Sequence, residues 1–273
     1  MHCLFGLNVE SELPLPLPST EGNADVLVTL GEVDRGDDIL WRTGPHLHIT
    51  CSRRGRTIVL DWPTARFAIE PGRVVVQATD PEFAGHLLLQ AIWSVVLDAH
   101  GRPSLHGTAV ERDGCAVGIL GRSGSGKSTA ALALLDRGWR LVADDVLTFD
   151  DTERVVPGPP FVRLRADRAV DRIGTFDAGG KLRYYPAACP DRVPLAAIIV
   201  HVEGQDSRVR LVGMTAAAEL IRQTDSPVPA HPAQARHAFD LALDVAGRVP
   251  IYAVPPRSLT AALLEEIVMD NET

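Results

Sequence analysis

Between about residue 25 and residue 79 the apolar positions come in short runs: DVLVTL, LHITC, RTIVLDW, ARFAIE and RVVVQA. The runs are rich in β-branched residues and are broken by turns such as Arg53-Arg54-Gly55 and Glu70-Pro71-Gly72, which predicts strands. Ahead of them, residues 11–20 (SELPLPLPST) are proline-rich and are expected to be extended, as an edge strand or a loop. After residue 80 the period changes to that of a helix. Asp80 suits the cap, Pro81 the first turn and Gly101 the stop, while Phe83, Leu87, Leu88, Ala91, Ile92 and Val95 form a wide apolar stripe. A β-rich N-terminal domain over residues 1–100, ending in this helix, is therefore expected, followed by a second domain over 101–273.

The second half alternates strand and helix. Leu105–Val110 and Cys115–Leu120 read as a hairpin turned through Arg112-Asp113-Gly114, and a helix runs from about Gly126 to Arg137 before Gly138. Arg140–Ala143 is a short buried strand. Leu195–Val202 and Arg208–Val212 predict another hairpin, and Thr215 a helix cap. Helices over 232–246 and 259–268 flank a strand at Pro250–Val254. The class is α/β.

Composition narrows the possibilities. A net charge of −8 without a basic block argues against nonspecific nucleic-acid binding. The four cysteines form no CxxC pair, so neither a metal site nor a disulfide framework is expected. The N-terminus lacks a basic segment followed by an apolar run, and the most apolar stretch, Leu87 to Leu97, is too short to cross a bilayer. A cytoplasmic protein without membrane partners is expected.

Chemistry enters at Gly121-Arg122-Ser123-Gly124-Ser125-Gly126-Lys127-Ser128, a full GxxxxGK[ST] pattern between an apolar strand and a helix. Glycines let successive backbone N–H groups converge on phosphate oxygens, and the helix N-terminus adds partial positive charge. This predicts ATP held by Gly121, Ser123, Gly124, Ser125, Gly126, Lys127, Ser128 and Thr129. Lys127 reaches the outer phosphates and the Ser128 hydroxyl ligates Mg²⁺. One helix later, Asp144-Asp145 end an apolar strand, the usual place for a Mg²⁺-holding carboxylate; adjacent side chains on an extended segment point to opposite sides. Taking the hairpin as centred on Arg112 and Asp113 pairs His106 with Ile119, at the Gly121 end of the sheet. From there His106 either orients a catalytic acid or is architectural.

The segment LHGTAVERDGCAVGILGRSGSGKSTAALALLDRGWRLVADDV resembles the catalytic core of HPr kinase/phosphorylase. The likeness rests on His106-Gly107, Gly121 to Ser128, Arg137-Gly138 and Ala143-Asp144-Asp145, over residues 104–150. It implies a P-loop kinase core similar to HPr kinase and phosphoenolpyruvate carboxykinase, and phosphate transfer to a serine hydroxyl. Asp144 is then the base, His106 its hydrogen-bonded partner, and Asp145 with Ser128 the Mg²⁺ ligands. Lys181 and Arg183 are the first candidates for charge on the equatorial oxygens, with Arg163 and Arg165 next.

The chain departs from that family in lacking its Arg-Gly-Leu-Gly run; residues 179–186 read GGKLRYYP. This, with Pro-Phe-Val-Arg-Leu-Arg at 160–165, resembles the HPr-kinase-like enzymes of lasso-peptide biosynthesis, which implies the C-terminal serine of a precursor peptide as acceptor. A kinase of HPr or another carrier protein, a small-molecule kinase and a regulatory ATPase without an acceptor are the alternatives.

Overall fold

The computed structural model describes all residues except 44–48, 123, 151, 153, 166–171, 178–179, 225–231, 257 and 270–273. Its described part falls into two compact units: Met1–Arg102 with Asp177, and the chain from Pro103 onward without Asp177.

In the first unit the expected runs correspond to β3 (Val26–Leu30), β5 (Thr50–Arg54), β6 (Thr57–Asp61), β7 (Ala65–Glu70) and β8 (Arg73–Ala78), joined by β1 (His2–Leu4), β2 (Leu7–Ser11) and β4 (Asp38–Arg42). Strand β5 takes up only Thr50 and Cys51 of the LHITC run, whose Leu47 and His48 lie outside the described residues. They make one sheet in the order β1-β2-β3-β8-β7-β6-β5-β4. The β1–β2 hairpin turns at Phe5 and Gly6, both at positive φ, and has no β-branched run to announce it. Alternation along β7 and β8 buries Phe67, Ile69, Val74 and Val76.

Against β7 and β8 pack α1 (Pro81–Leu87) and α2 (Trp93–Ala99), joined by a π-helical turn at Leu88–Ile92. Asp80 accepts the Phe83 N–H at 3.0 Å, so the start of the helix follows from its capping chemistry.

The second unit is built on β9 (Ser104–Arg112), β10 (Cys115–Leu120), α3 (Lys127–Leu135), β11 (Arg140–Ala143) and β12 (Val146–Thr148). A small sheet follows, made of β13 (Val162–Leu164), β14 (Gly174–Phe176) and β15 (Leu182–Tyr184). Then come β16 (Leu195–His201), β17 (Val209–Leu211), α4 (Gly213–Arg222), α5 (Pro232–Arg248), β18 (Ile251–Val254) and α6 (Ala261–Met269). The central sheet runs β11-β9-β10-β16-β18-β17, with β12 continuing beside β9. Val117, Ile119, Ala131, Leu134, Ile199 and Leu264 lie in its core, between the sheet and helices α3 and α6.

Three local expectations change. The β9–β10 turn consists of Asp113 and Gly114, at φ 55° and 85°, so Ile119 faces Thr108 rather than His106. A two-residue hairpin of this kind needs positive φ at both central positions, which Gly114 adopts more easily than Arg112. Strands β16 and β17 do not pair with each other, because the more buried β18 lies between them, parallel to β16 and antiparallel to β17. Finally, α4 starts at Gly213 after Val212, which places Thr215 inside the first turn instead of at the cap.

Candidate active site

The phosphate loop follows β10 directly. Gly126 caps α3 from a left-handed conformation (φ 107°). At Gly121 (φ 144°) a Cβ would stand 2.8 Å from both the His201 Cβ and the Ser125 Oγ, so only glycine fits. Buried Lys127 donates from Nζ to the carbonyls of Gly121 (2.6 Å) and Arg122 (3.2 Å). The loop thus holds its own cation at its centre. Gly124, Gly126, Lys127, Ser128 and Thr129 line a cavity of about 720 Å³. Ser123, predicted to contact nucleotide, lies outside the described residues.

The acidic pair sits where β11 hands over to β12. Ala143 faces Ala109 and Val146 faces His106, so Asp144 and Asp145 fall opposite Thr108 and Gly107. Asp145 takes a left-handed backbone (φ 66°), uncommon for a residue with a Cβ. Its carbonyl accepts the Gly107 N–H (3.3 Å) and the His106 Nδ1–H (3.1 Å), which holds this kink. Its carboxylate reaches the cavity shared with Lys127 and Ser128.

Asp144 stands behind it, only 8% exposed, and is not among the side chains lining that cavity. Thr108 Oγ1 donates to one carboxylate oxygen at 2.6 Å and the Arg163 N–H to the other at 3.2 Å. Burial, and secondarily the Asp145 charge, push the Asp144 carboxyl up to about 6, against the lowering effect of the Thr108 and Arg163 bonds.

His106 is hydrogen-bonded to the Asp145 backbone and not, as expected, to the Asp144 carboxylate. Thr108, two residues along the same strand, takes that place because alternation brings it opposite Asp144. The His106 N–H bonds the Gln223 carbonyl at 2.7 Å. Burial and the Lys127 charge lower its imidazole, against Asp145. With Nδ1 donating to a carbonyl, Nε2 carries the free lone pair.

Among the flanking cations, Arg163, Arg165 and Lys181 line the cavity. Arg163 reaches the Asp145 carboxylate at 3.5 Å while its backbone N–H holds Asp144. Arg183 does not line it: its guanidinium lies 5.5 Å from the Phe161 ring centroid. His201, absent from the sequence-based candidates, ends β16 beside the loop and contacts the Ser125 carbonyl at 2.7 Å through Nδ1. Its signal was present: LAAIIVH is an apolar run ending in a polar residue, and β16 is parallel to β10, so both carboxyl ends meet at the site.

For Mg²⁺, Asp145 and Ser128 are an adequate protein contribution, since the ion commonly takes one or two protein ligands and completes its shell with phosphate and water. Two adjacent carboxylates, with the Asp145 charge raising the Asp144 carboxyl, make the negative site that a cation fits. Among the described residues no group of three or more His, Cys, Asp or Glu could hold a metal without such help.

The model of the HPr serine kinase C-terminal domain matches residues 99–166, which hold the loop, the acidic pair, His106 and Thr108. Over this segment the chain is similar to the HPr kinases. It is 33% identical over 237 residues to an HPr kinase/phosphorylase of Lacticaseibacillus casei, covering 82% of this chain and 62% of that protein. An HPr kinase/phosphorylase of Latilactobacillus sakei is 32% identical over 174 residues, covering 59% of this chain and 54% of that protein. The chain therefore spans little more than half the length of these curated relatives. The Hpr(Ser) kinase/phosphatase structure from Coxiella burnetii aligns at a TM-score of 0.31 and 16% identity, over 62% of this chain and 95% of that one.

Proposed function

We propose that the chain is an ATP-dependent kinase that transfers the terminal phosphoryl group to a serine hydroxyl of a protein or peptide. The observation that carries this is the second carboxylate. Holding a nucleotide and its metal needs Lys127, Ser128 and Asp145; a buried neighbour tuned to about 6 and fixed by Thr108 and Arg163 goes beyond that need.

In this reading Asp145 and Ser128 hold Mg²⁺, which neutralises charge on the phosphates when bound. Asp144, which does not itself line the cavity, is the base of this reading: the acceptor hydroxyl enters past Asp145, is oriented by the Asp144 carboxylate and gives up its proton to it. The serine oxygen bonds to the terminal phosphorus as the bridging oxygen bond breaks and ADP leaves. Lys127, with Arg163 and Lys181, stabilises the transferring oxygens. His106 holds the Asp145 backbone so that the two carboxylates keep different surroundings.

The names of the relatives favour HPr or a similar carrier as the acceptor. The absence of an Arg-Gly-Leu-Gly run at 179–186 favours the other acceptor, the C-terminal serine of a lasso-peptide precursor. Incubation with γ-labelled ATP, Mg²⁺ and either HPr or a peptide ending in serine separates them by which becomes labelled. ATP binding with label on neither, and slow release of phosphate alone, would leave a regulatory ATPase.

A further inference from the structure

The first unit carries a polar row that the phosphate site does not use. Strand register sets Arg42 opposite Thr50, Thr50 opposite Asp61, Asp61 opposite Arg66 and Arg66 opposite Gln77. Directly paired residues project from the same face, so these five side chains cross β4 to β8 in one line, spanning roughly 20 Å at the usual strand spacing. The segment before β4 is tied over this row: Gln77 Oε1 accepts the Val33 N–H at 3.0 Å, and Arg66 Nη1 donates to the Val33 carbonyl at 2.7 Å. Between them lies a concavity of about 510 Å³.

Its charge is opposite to that of the chain. Three arginines, Arg35, Arg42 and Arg66, line it, and Asp61 is the one acid among the lining residues, so the lining is net positive in a protein of net charge −8. Asp61 is shared by Arg66 (3.2 Å) and Arg35 (3.4 Å). Arg42 has no ion-pair partner among the described residues and is exposed. Ile39, 47% exposed, and Trp62 supply apolar surface in the same concavity. Among the described residues β4 is also the last strand of its sheet, and a strand edge offers backbone donors and acceptors.

We propose that this face is a docking site for an acidic peptide segment bound in extended form. Its carboxylates pair with Arg35 and Arg42, its apolar side chains lie on Ile39 and Trp62, and its backbone adds to β4. The strand edge favours a polypeptide over nucleic acid, because only a polypeptide returns both the donors and the acceptors of a β ladder. The site stands apart from the phosphoryl-transfer reading, and its failure is separable from failure at the loop.

The test is fluorescence anisotropy of the full chain with a labelled peptide of alternating Glu and Val, and with its Lys/Val counterpart. The acidic peptide should bind and weaken as salt rises, and the basic one should not. Arg42→Glu should weaken binding at least tenfold without altering thermal unfolding, and Lys127→Ala should leave it unchanged. Methylating alternate backbone nitrogens of the peptide should weaken it comparably. Equal binding of both peptides, or no effect of Arg42→Glu, would overturn the proposal. So would full displacement by inorganic phosphate together with no effect of N-methylation, which would mark a simple anion site.

Discussion

Thr108 Oγ1 donates to Asp144 at 2.6 Å from directly across the β9–β11 ladder, and this bond opposes the effect of burial on the carboxyl. It favours the charged form, as does the Arg163 N–H on the other oxygen. Thr108→Val keeps the shape, removes the donor and should push the Asp144 carboxyl above about 6. The acidic limb of the pH–rate profile should move up by roughly one unit, the scale of a hydrogen bond to a charged group. A profile that does not move would show that transfer does not depend on ionised Asp144.

The same carboxyl links stability to pH. Its folded-state value, about 6, lies above the ordinary 3.8, so the native state binds the proton more tightly than the unfolded chain. The resulting stabilisation is fully present below the ordinary value and is lost as pH rises through about 6. Its size is on the order of 3 kcal/mol. Asp144→Asn does not titrate, so its melting temperature relative to the parent should rise between pH 4 and pH 7. Nucleotide binding should persist while phosphoryl transfer falls by roughly a hundredfold or more. Loss of nucleotide binding instead would move Asp144 to the metal.

Asp145 tests the metal assignment. Asn also tolerates its left-handed backbone (φ 66°), so Asp145→Asn should fold while losing a charged oxygen. The Mg²⁺ concentration for half-maximal transfer should rise by about tenfold or more, the usual cost of weakening a metal site. Removing the repulsion on Asp144 should also lower that carboxyl toward its ordinary range. Unchanged Mg²⁺ dependence would exclude Asp145 as a ligand.

How much of this was legible in the sequence varies with the range of the forces involved. The phosphate loop is local: glycine conformations, a following helix and Lys127 are set within eight residues. Strands β3 and β5 to β8 of the first unit follow from alternation within each run, whereas β1, β2 and β4 have no such run and were not expected. Pairings are not local, and there the expectations changed. The β9–β10 register turned on whether Arg112 or Gly114 occupied the turn, and the position of β18 between β16 and β17 depends on which strand has two apolar faces to bury. Thr108 became visible only once the register was known. Arg163 and Arg183 face each other across β13 and β15, yet one reaches the acids and the other an aromatic ring, a difference set by tertiary packing rather than by residue type.

That divergence gives the last prediction. Arg163 is 9% exposed at its side chain and touches Asp145 at 3.5 Å, so Arg163→Ala removes positive charge from the cavity while leaving its backbone N–H on Asp144. Transfer should fall by about a hundredfold, the usual loss for one preorganised donor to developing charge, with little change in melting temperature. Arg183 is buried over Phe161, and Arg183→Ala should do the reverse. It should lower the melting temperature by removing stacking and packing worth about 1–2 kcal/mol, while ATP affinity measured by calorimetry stays at the parent value. Should Arg183→Ala instead abolish transfer without loss of stability, its side chain would have to leave Phe161 during turnover, and the positive wall of the cavity would include it.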